Sequence, residues 1–307
     1  MIKISVVIPL YNKVDFIKRA LSSVLEQTYE NFEIIIVNDG STDGSEKIVE
    51  GYNDVRIKLL HRPYPSGVSV ARNFGIKHSS ADLIAFIDAD DKWNENFLGT
   101  IVRLRKKHPK AGAYSTAFIE KRSNKCKKPI FWFIPRGEEW EGIIPDYFKS
   151  CIYGASPVCS SAVAIPKKIF SDVGFFPEGI KRGEDQDMWA RIALNYDIAF
   201  SQYVGAIYYK GIQRSGVKKN KCLEGYRVVE SLEAALKKKK ICPKKAKYIK
   251  EYANKFILGS AAQCIKAGEI ELAKKHLNKC HTERFLGRKL FLIFSAFLYS
   301  NKQRLLL

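Results

Sequence analysis

The stretch LIAFIDADD, residues 83–91, decides the fold. It opens as a short apolar run, which reads as a strand buried on both faces. It ends in three carboxylates within four residues, Asp88, Asp90 and Asp91. In an open α/β sheet the ligand sits beyond the carboxyl ends of the strands, so a buried strand running into acids marks one wall of a site. Working outward, the same apolar run recurs at Ile4–Pro9, Phe32–Asn38 and Val55–His61. Helical spacing fills the gaps. Val14–Gln27 repeats apolar pairs at Phe16/Ile17, Ala20/Leu21 and Val24/Leu25, Thr42–Tyr52 follows with Ser41 or Thr42 as its N-cap, and Gly67–Ser79 completes the set. A helix over Glu95–Lys107 and a strand over Ala111–Ile119 continue the alternation. Strands alternating with helices of this length predict parallel βαβ units with helices on both faces of the sheet.

Beyond residue 120 the pattern loosens. Residues 121–157 read as an irregular insertion, basic at Lys121, Arg122, Lys125, Lys127 and Lys128, then aromatic at Phe131-Trp132-Phe133. A strand at Ser160–Ile165, a helix at Gly183–Tyr196 and a strand at Ile198–Tyr209 follow. The expected organisation is a domain over 1–215, divided into 1–120 and 121–215. A helical region over 220–307 follows it.

The chain has 307 residues and a net charge of +20, unevenly placed. Residues 210–307 hold 24 Lys/Arg against 7 Asp/Glu, or +17, leaving the first 209 residues nearly neutral. Such a basic region implies a polyanion or an anionic surface. A nucleic-acid partner is not expected, because the Lys runs lack interleaved aromatics and no recognised module is present. No run of 18 apolar residues predicts a membrane-spanning helix, and no signal peptide is read at the N-terminus. Seven widely spaced cysteines without a CxxC pair argue against a disulfide framework and for a reducing compartment.

Four clusters carry chemistry. Asp88, Asp90 and Asp91 repel one another unless a cation compensates them, and hard oxygen ligands suit Mg²⁺ or Mn²⁺ beside substrate phosphates. In Asn38-Asp39-Gly40-Ser41, Gly40 permits a tight turn and Asp39 can accept from a ribose or a base N–H. Arg72 suits a diphosphate through bidentate hydrogen bonds, or else an ion pair with one of the aspartates. Glu184, Asp185 and Asp187 open a helix and exceed what a helix start needs. Asp185 and Trp189, at i and i+4, share a face that would hold a sugar hydroxyl against a carboxylate and an aromatic ring.

Residues 4–12 (ISVVIPLYN), 32–43 (FEIIIVNDGSTD), 67–75 (GVSVARNFG), 86–91 (FIDADD) and 184–191 (EDQDMWAR), in that order, resemble the family 2 glycosyltransferases of the GT-A fold. The resemblance covers about residues 1–210. It implies a mostly parallel Rossmann-like sheet, a nucleotide-sugar donor (a UDP-sugar above all), Mn²⁺ or Mg²⁺, and inversion at the anomeric carbon. By position it implies nucleoside contacts from Pro9, Tyr11 and Asp39, with Arg72 near Asp39 or the diphosphate. It makes Asp88 and Asp90 the DxD pair, with Asp90 the direct metal ligand and Asp91 in support, and Asp185 the catalytic base beside Glu184 and Trp189 on the acceptor side. The acceptor is expected to be a glycan or a lipid-linked sugar of cell-surface polysaccharide synthesis. The processive members' QxxRW motif and membrane spans are absent, which favours single addition.

The competing readings are a non-catalytic nucleotide-sugar or polyanion-binding protein on the same scaffold and a nucleotidyltransferase. The basic end, with the apolar Phe285–Tyr299, predicts a peripheral position on an anionic, cytoplasm-facing membrane surface. The alternative is that this stretch packs on the catalytic domain or on a second subunit in a homodimer.

Overall fold

The computed structural model describes residues 1–180, 182–211, 226–238 and 240–304. The chain divides into two compact units, Met1–Ser215 and Gly216–Leu307.

In the first unit the chain runs β1 (Ile4–Leu10), α1 (Ile17–Leu25), β2 (Phe32–Asp39), α2 (Ser45–Glu50), β3 (Ile57–Arg62), α3 (Val68–His78), β4 (Leu83–Phe86), β5 (Lys92–Trp93), α4 (Phe97–Lys107) and β6 (Ala113–Arg122). It continues through β7 (Lys125–Lys127), β8 (Glu141–Ile143), α5 (Tyr147–Tyr153), β9 (Val163–Pro166), α6 (Lys167–Val173), α7 (Glu184–Asn195) and β10 (Ile198–Tyr209). These strands build one sheet in the order β3-β2-β1-β4-β9-β6-β10-β5, with β7 on β6 and β8 on β10. The first four strands are parallel, with Leu10 opposite Asn38 and Asp39 opposite Arg62. The apolar runs are buried because helices cover both faces: Ile4, Val6, Val7, Ile34, Ile35, Ile84 and Phe86 have almost no exposed surface. Helix α3 sits so close to β1 that a Cβ at Gly75 would lie 2.5 Å from Val7 Cγ1, so only glycine fits there.

Three local expectations change. The strand at 160–165 pairs antiparallel with both β4 and β6. It enters the sheet from the carboxyl end of β4, where the Ser161 hydroxyl accepts the Asp88 N–H at 3.0 Å, so the direction of the strand brings Ser161 to the site. The insertion is not irregular throughout, since it contains β7, β8 and α5. Neither Ser41 nor Thr42 caps α2. Its N-cap is Gly44 in the left-handed region, because Ser41 Oγ instead accepts from Asn12 N–H at 3.1 Å.

The second unit is helical: α8 (Arg227–Lys238), α9 (Pro243–Ala267), α10 (Ile270–Lys279) and α11 (Leu286–Arg304). The expected helix start at Leu223 lies outside the described residues. Val228, Leu232, Ile249, Leu258, Ala261, Ala273 and Leu277 form its buried interior. Among the described residues no helix is long and apolar enough to cross a membrane. Cys126, Cys151, Cys159, Cys242 and Cys280 are free thiols, while Cys264 is disulfide-bonded, which the cysteine spacing did not predict.

Candidate active site

The loops after β1 and β2 are sewn together. The Asn12 N–H donates to Ser41 Oγ at 3.1 Å, the Thr42 N–H donates to Asn12 Oδ1 at 2.9 Å, and the Lys13 and Val14 amides donate to Ser45 Oγ at 2.8 Å and Asp43 Oδ2 at 3.0 Å. Pro9 and Tyr11 stand half-buried at this edge. Asp39 is buried. Its Oδ1 accepts from Arg62 Nε at 3.0 Å and its Oδ2 from the amides of Ser66 at 2.9 Å and Gly67 at 2.8 Å. A carboxylate offers about four lone-pair sites, and these three bonds make Asp39 the anchor of the loop from β3 to α3. Gly40 is required beneath that loop: its φ is +75° and a Cβ would lie 3.0 Å from Pro65.

The acids at the end of β4 have three different environments. Asp88, about a quarter exposed, accepts from Arg72 Nη2 at 2.6 Å. Asp90 holds Lys13 Nζ at 2.6 Å, and its carbonyl accepts from Arg19, whose guanidinium lies 3.7 Å from the Tyr209 ring centre. Asp91 is fully buried and accepts from the Ser161 hydroxyl and from the Tyr209 N–H at 2.9 Å. Burial, with Asp88 and Asp90 adding repulsion, pushes its carboxyl well above the usual range. Asp91, expected to support a metal ion, is a buried tie between the acid loop, the segment entering β9, and β10.

Arg72 makes the ion pair with an aspartate that was the alternative to a diphosphate contact. It is 2 % exposed, and its Nη1 reaches Glu184 Oε1 at 3.3 Å while Nη2 serves Asp88. Burial opposes its charge, but Asp88 and Glu184 outweigh that and raise its pKa. It is a strut between the acid loop and the start of α7. A diphosphate clamp needs exposed N–H groups, and the partner of Asp39 is Arg62 instead. Next to Arg72, Asn73 bonds Phe176 O at 2.8 Å and Glu178 Oε1 at 2.9 Å, so α3 holds the segment leading into α7.

At the start of α7, Glu184 is pushed up by burial and by Asp185, against the pull of Arg72. Asp185, half-buried, accepts the Gln186 N–H at 2.7 Å. Asp187 is buried and pairs with Arg191 at 2.7 Å; Arg191 in turn donates to the carbonyls of Gly174 and Phe175, both at 2.9 Å. Trp189 has no exposed surface and packs edge-on against Phe176, with ring centres 5.9 Å apart. The expectation of a sugar against that ring is corrected: Trp189 belongs to the core beneath the site. Burial raises the Cys159 thiol well above its usual range, with Asp91, Asp88 and Asp185 adding to it.

Sequence reasoning missed Lys13, Arg19, Arg62, Cys159 and Ser161. Lys13 follows β1 closely and Arg62 ends β3, so the rule that ligands gather beyond strand ends points to both positions.

Among the described residues no three His, Cys, Asp or Glu side chains converge to hold a metal ion. Two carboxylates two residues apart nevertheless suit a Mg²⁺- or Mn²⁺-type ion that completes its shell from phosphates and water.

Residues 5–174 match the model of the glycosyl transferase family 2. The chain belongs to that family. An uncharacterized glycosyltransferase of Rickettsia bellii is 31% identical over 225 residues, 73% of this chain and 31% of its own length. The Escherichia coli UDP-Glc:alpha-D-GlcNAc-diphosphoundecaprenol beta-1,3-glucosyltransferase WfgD is 42% identical over 95 residues, 31% of this chain and 38% of its own. The chain thus spans about a third of the length of the first curated relatives it matches. Among solved structures, Staphylococcus aureus TarS 1-349 in complex with UDP-GlcNAc superposes with a TM-score of 0.69 at 21% identity, over 97% of this chain and 89% of that one. Mannosyltransferase PcManGT from Pyrobaculum calidifontis, in complex with GDP-Man and Mn2+, gives 0.59 at 19% identity, over 96% and 79%. These likenesses show the GT-A fold of the family 2 chain.

Proposed function

We propose that this chain is an inverting glycosyltransferase that moves one sugar from a nucleoside-diphosphate sugar, a UDP-sugar first, to a glycan or lipid-linked acceptor. The observation that carries the reading is the strut Asp88–Arg72–Glu184, which holds the donor-side acid loop and the Asp185 helix start in one site. Asp185 takes the proton of the acceptor hydroxyl as it attacks the anomeric carbon, and a single displacement needs one base and no covalent sugar–enzyme intermediate. Asp90 and Asp88 would hold a divalent ion, which supplies Lewis-acid screening of the charge growing on the leaving diphosphate. The Mn2+ in the PcManGT complex supports that choice. Lys13, beside Asp90, adds a second positive charge on the donor side. Arg62 and Asp39 fix the loop over which the nucleoside lies, with Pro9 and Tyr11 as its other wall. WfgD acts on a diphosphoundecaprenol-linked sugar, which supports a lipid-linked acceptor and a cytoplasm-facing peripheral position for this chain.

A panel of nucleotide sugars with Mn²⁺ or Mg²⁺, read as product release, tests the reading. Nucleoside diphosphate is expected. Pyrophosphate would indicate nucleotidyl transfer, and no release with any donor would leave a binding protein.

A further inference from the structure

Helix α11 leaves its most apolar side uncovered. Leu290, Phe291, Ile293, Phe294, Phe297 and Leu298 are each between 44% and 67% exposed. At 100° per residue these six fall in one continuous arc of about 160°. The opposite side faces the interior, with Leu292 at 6% and Ala296 at 2% exposure. Scattered exposed apolar residues are ordinary, but six on one face of one helix form a contiguous patch of the kind that marks an interaction surface.

The helix is also fixed in place. Glu251 of α9, itself buried, accepts from the Thr282 hydroxyl and from the amides of Glu283 at 2.8 Å and Arg284 at 3.3 Å. Asn254 Nδ2 donates to His281 O at 2.7 Å, and Lys289 Nζ to Cys280 O at 2.7 Å. The turn before α11 is thus tied to α9 and α10, so the apolar arc is presented by a held helix.

Charge selects the occupant. The unit Gly216–Leu307 holds 22 Lys/Arg against 7 Asp/Glu. Arg288, exposed, stands one turn before Phe291, and Lys302 and Arg304 follow the arc in sequence. Two copies meeting through α11 would bring two strongly positive units together, whereas an anionic bilayer compensates them. The arc from Leu290 to Leu298 spans about 13 Å along the helix, well short of a hydrocarbon core of about 30 Å. A helix apolar on one side and held to its neighbours on the other lies in the interface plane.

We propose that the uncovered face of α11 inserts into the headgroup region of an anionic lipid bilayer, with the basic residues of the helical unit on the headgroups. This deepens the membrane-side reading above, while standing on the geometry of α11 and not on the transfer chemistry.

The full chain is tested by co-sedimentation with phosphatidylglycerol-containing vesicles and with pure phosphatidylcholine vesicles, at low and high salt. Binding to the anionic vesicles that weakens with salt is expected. Phe294→Glu with Phe297→Glu should lower it roughly a hundredfold, since two half-exposed aromatic rings are withdrawn from the interface. Circular dichroism and the thermal midpoint should not change. Arg284→Glu with Arg288→Glu leaves the arc untouched and should lower anionic binding by about thirtyfold or more. The proposal is overturned if the native chain ignores anionic vesicles at low salt, if both double variants bind like the native chain, or if the lipid-free chain is a dimer that Phe294→Glu with Phe297→Glu makes monomeric. Donor turnover measured on the same samples keeps the two readings apart: its absence beside intact vesicle binding would strike the transferase reading alone.

Discussion

The two units place charge and apolar surface in opposite ways. In Met1–Ser215 several titratable groups turn inward: Arg72 lies between Asp88 and Glu184, Asp91 is closed in by Ser161 and Tyr209, and Asp187 orients Arg191. Among the described residues of Gly216–Leu307 the ion pairs lie at the surface, as in Lys247–Glu283 and Lys274–Glu271, and an apolar helix face is left outside. Buried charges are costly unless paired, so a chain that keeps them inside does so where their position matters. Exposed basic residues and uncovered apolar side chains instead mark where a surface meets something else.

The largest expected effect tests the inward-turned unit at its most functional point. Asp90→Asn should reduce sugar transfer on the order of thousands-fold, through loss of charge where the diphosphate departs. Metal chelation should do the same to the native chain. The thermal midpoint should hold, because Asp90 lies at the rim and its partner Lys13 can turn to water. Transfer by Asp90→Asn at the native rate in chelator would break the assignment.

Asp185→Asn comes next. Donor binding should persist while transfer falls by roughly 10²–10⁴-fold, the range for losing a general base. Isothermal titration with the nucleoside diphosphate, beside the transfer assay, separates the two. Asp187→Asn should act differently, lowering stability through Arg191 and the carbonyls it holds. If Asp187→Asn were inactive yet stable and Asp185→Asn active, the base would have been placed on the wrong carboxylate.

Arg72→Met sharpens the contrast between the units. Removing one partner from a buried pair leaves charge uncompensated, so the first unit should lose about 3 kcal/mol, toward the low end because Asp88 can hydrate. Urea unfolding measures it. Lys247→Ala, which breaks an exposed pair of the second unit, should leave unfolding unchanged. Equal losses from both would erase the distinction.

Much of the first unit is legible in sequence because strands and helices there follow apolar periodicity, and because ligands gather at strand ends. Hence Asp39, Asp88 and Asp90 at strand ends, and Asp185 at a helix start, could be singled out from residues alone as candidates. What stayed hidden depends on tertiary direction. The antiparallel entry of β9, which delivers Ser161, has no local signal. Trp189 shares a helix face with Asp185, yet that face turns into the core against Phe176. Arg72 looks like a phosphate ligand by type, and only its burial shows it to be a strut. The uncovered arc of α11 was legible as an apolar run, but not which side of it the neighbouring helices would cover.

The smallest expected effect lies at the opposite end of the sheet from the acids. Glu33 accepts from the Ser5 hydroxyl, from the Ser80 N–H at 2.7 Å and from the Ser80 hydroxyl at 2.8 Å, with Lys3 at 3.9 Å. Burial pushes its carboxyl up, but the bonds from Ser5 and Ser80 and the charge of Lys3 outweigh that and hold it below the usual range. A carboxyl whose folded pKa is lowered stabilises above its unfolded value, about 4.3 for glutamate, and loses that contribution as pH falls through the lower folded value. Glu33→Gln should therefore lower the stability of the first unit by about 1 kcal/mol near neutral pH, the worth of its charge-assisted bonds, and by less in acid. In the second unit Glu283 is also held low, by the hydrogen bond and charge of Lys247, but at full exposure. Glu283→Gln should leave the acid limb of the unfolding curve where it is. Urea midpoints of the two variants, taken near neutral pH and in acid, give the comparison, and a larger shift from Glu283→Gln than from Glu33→Gln would reverse it.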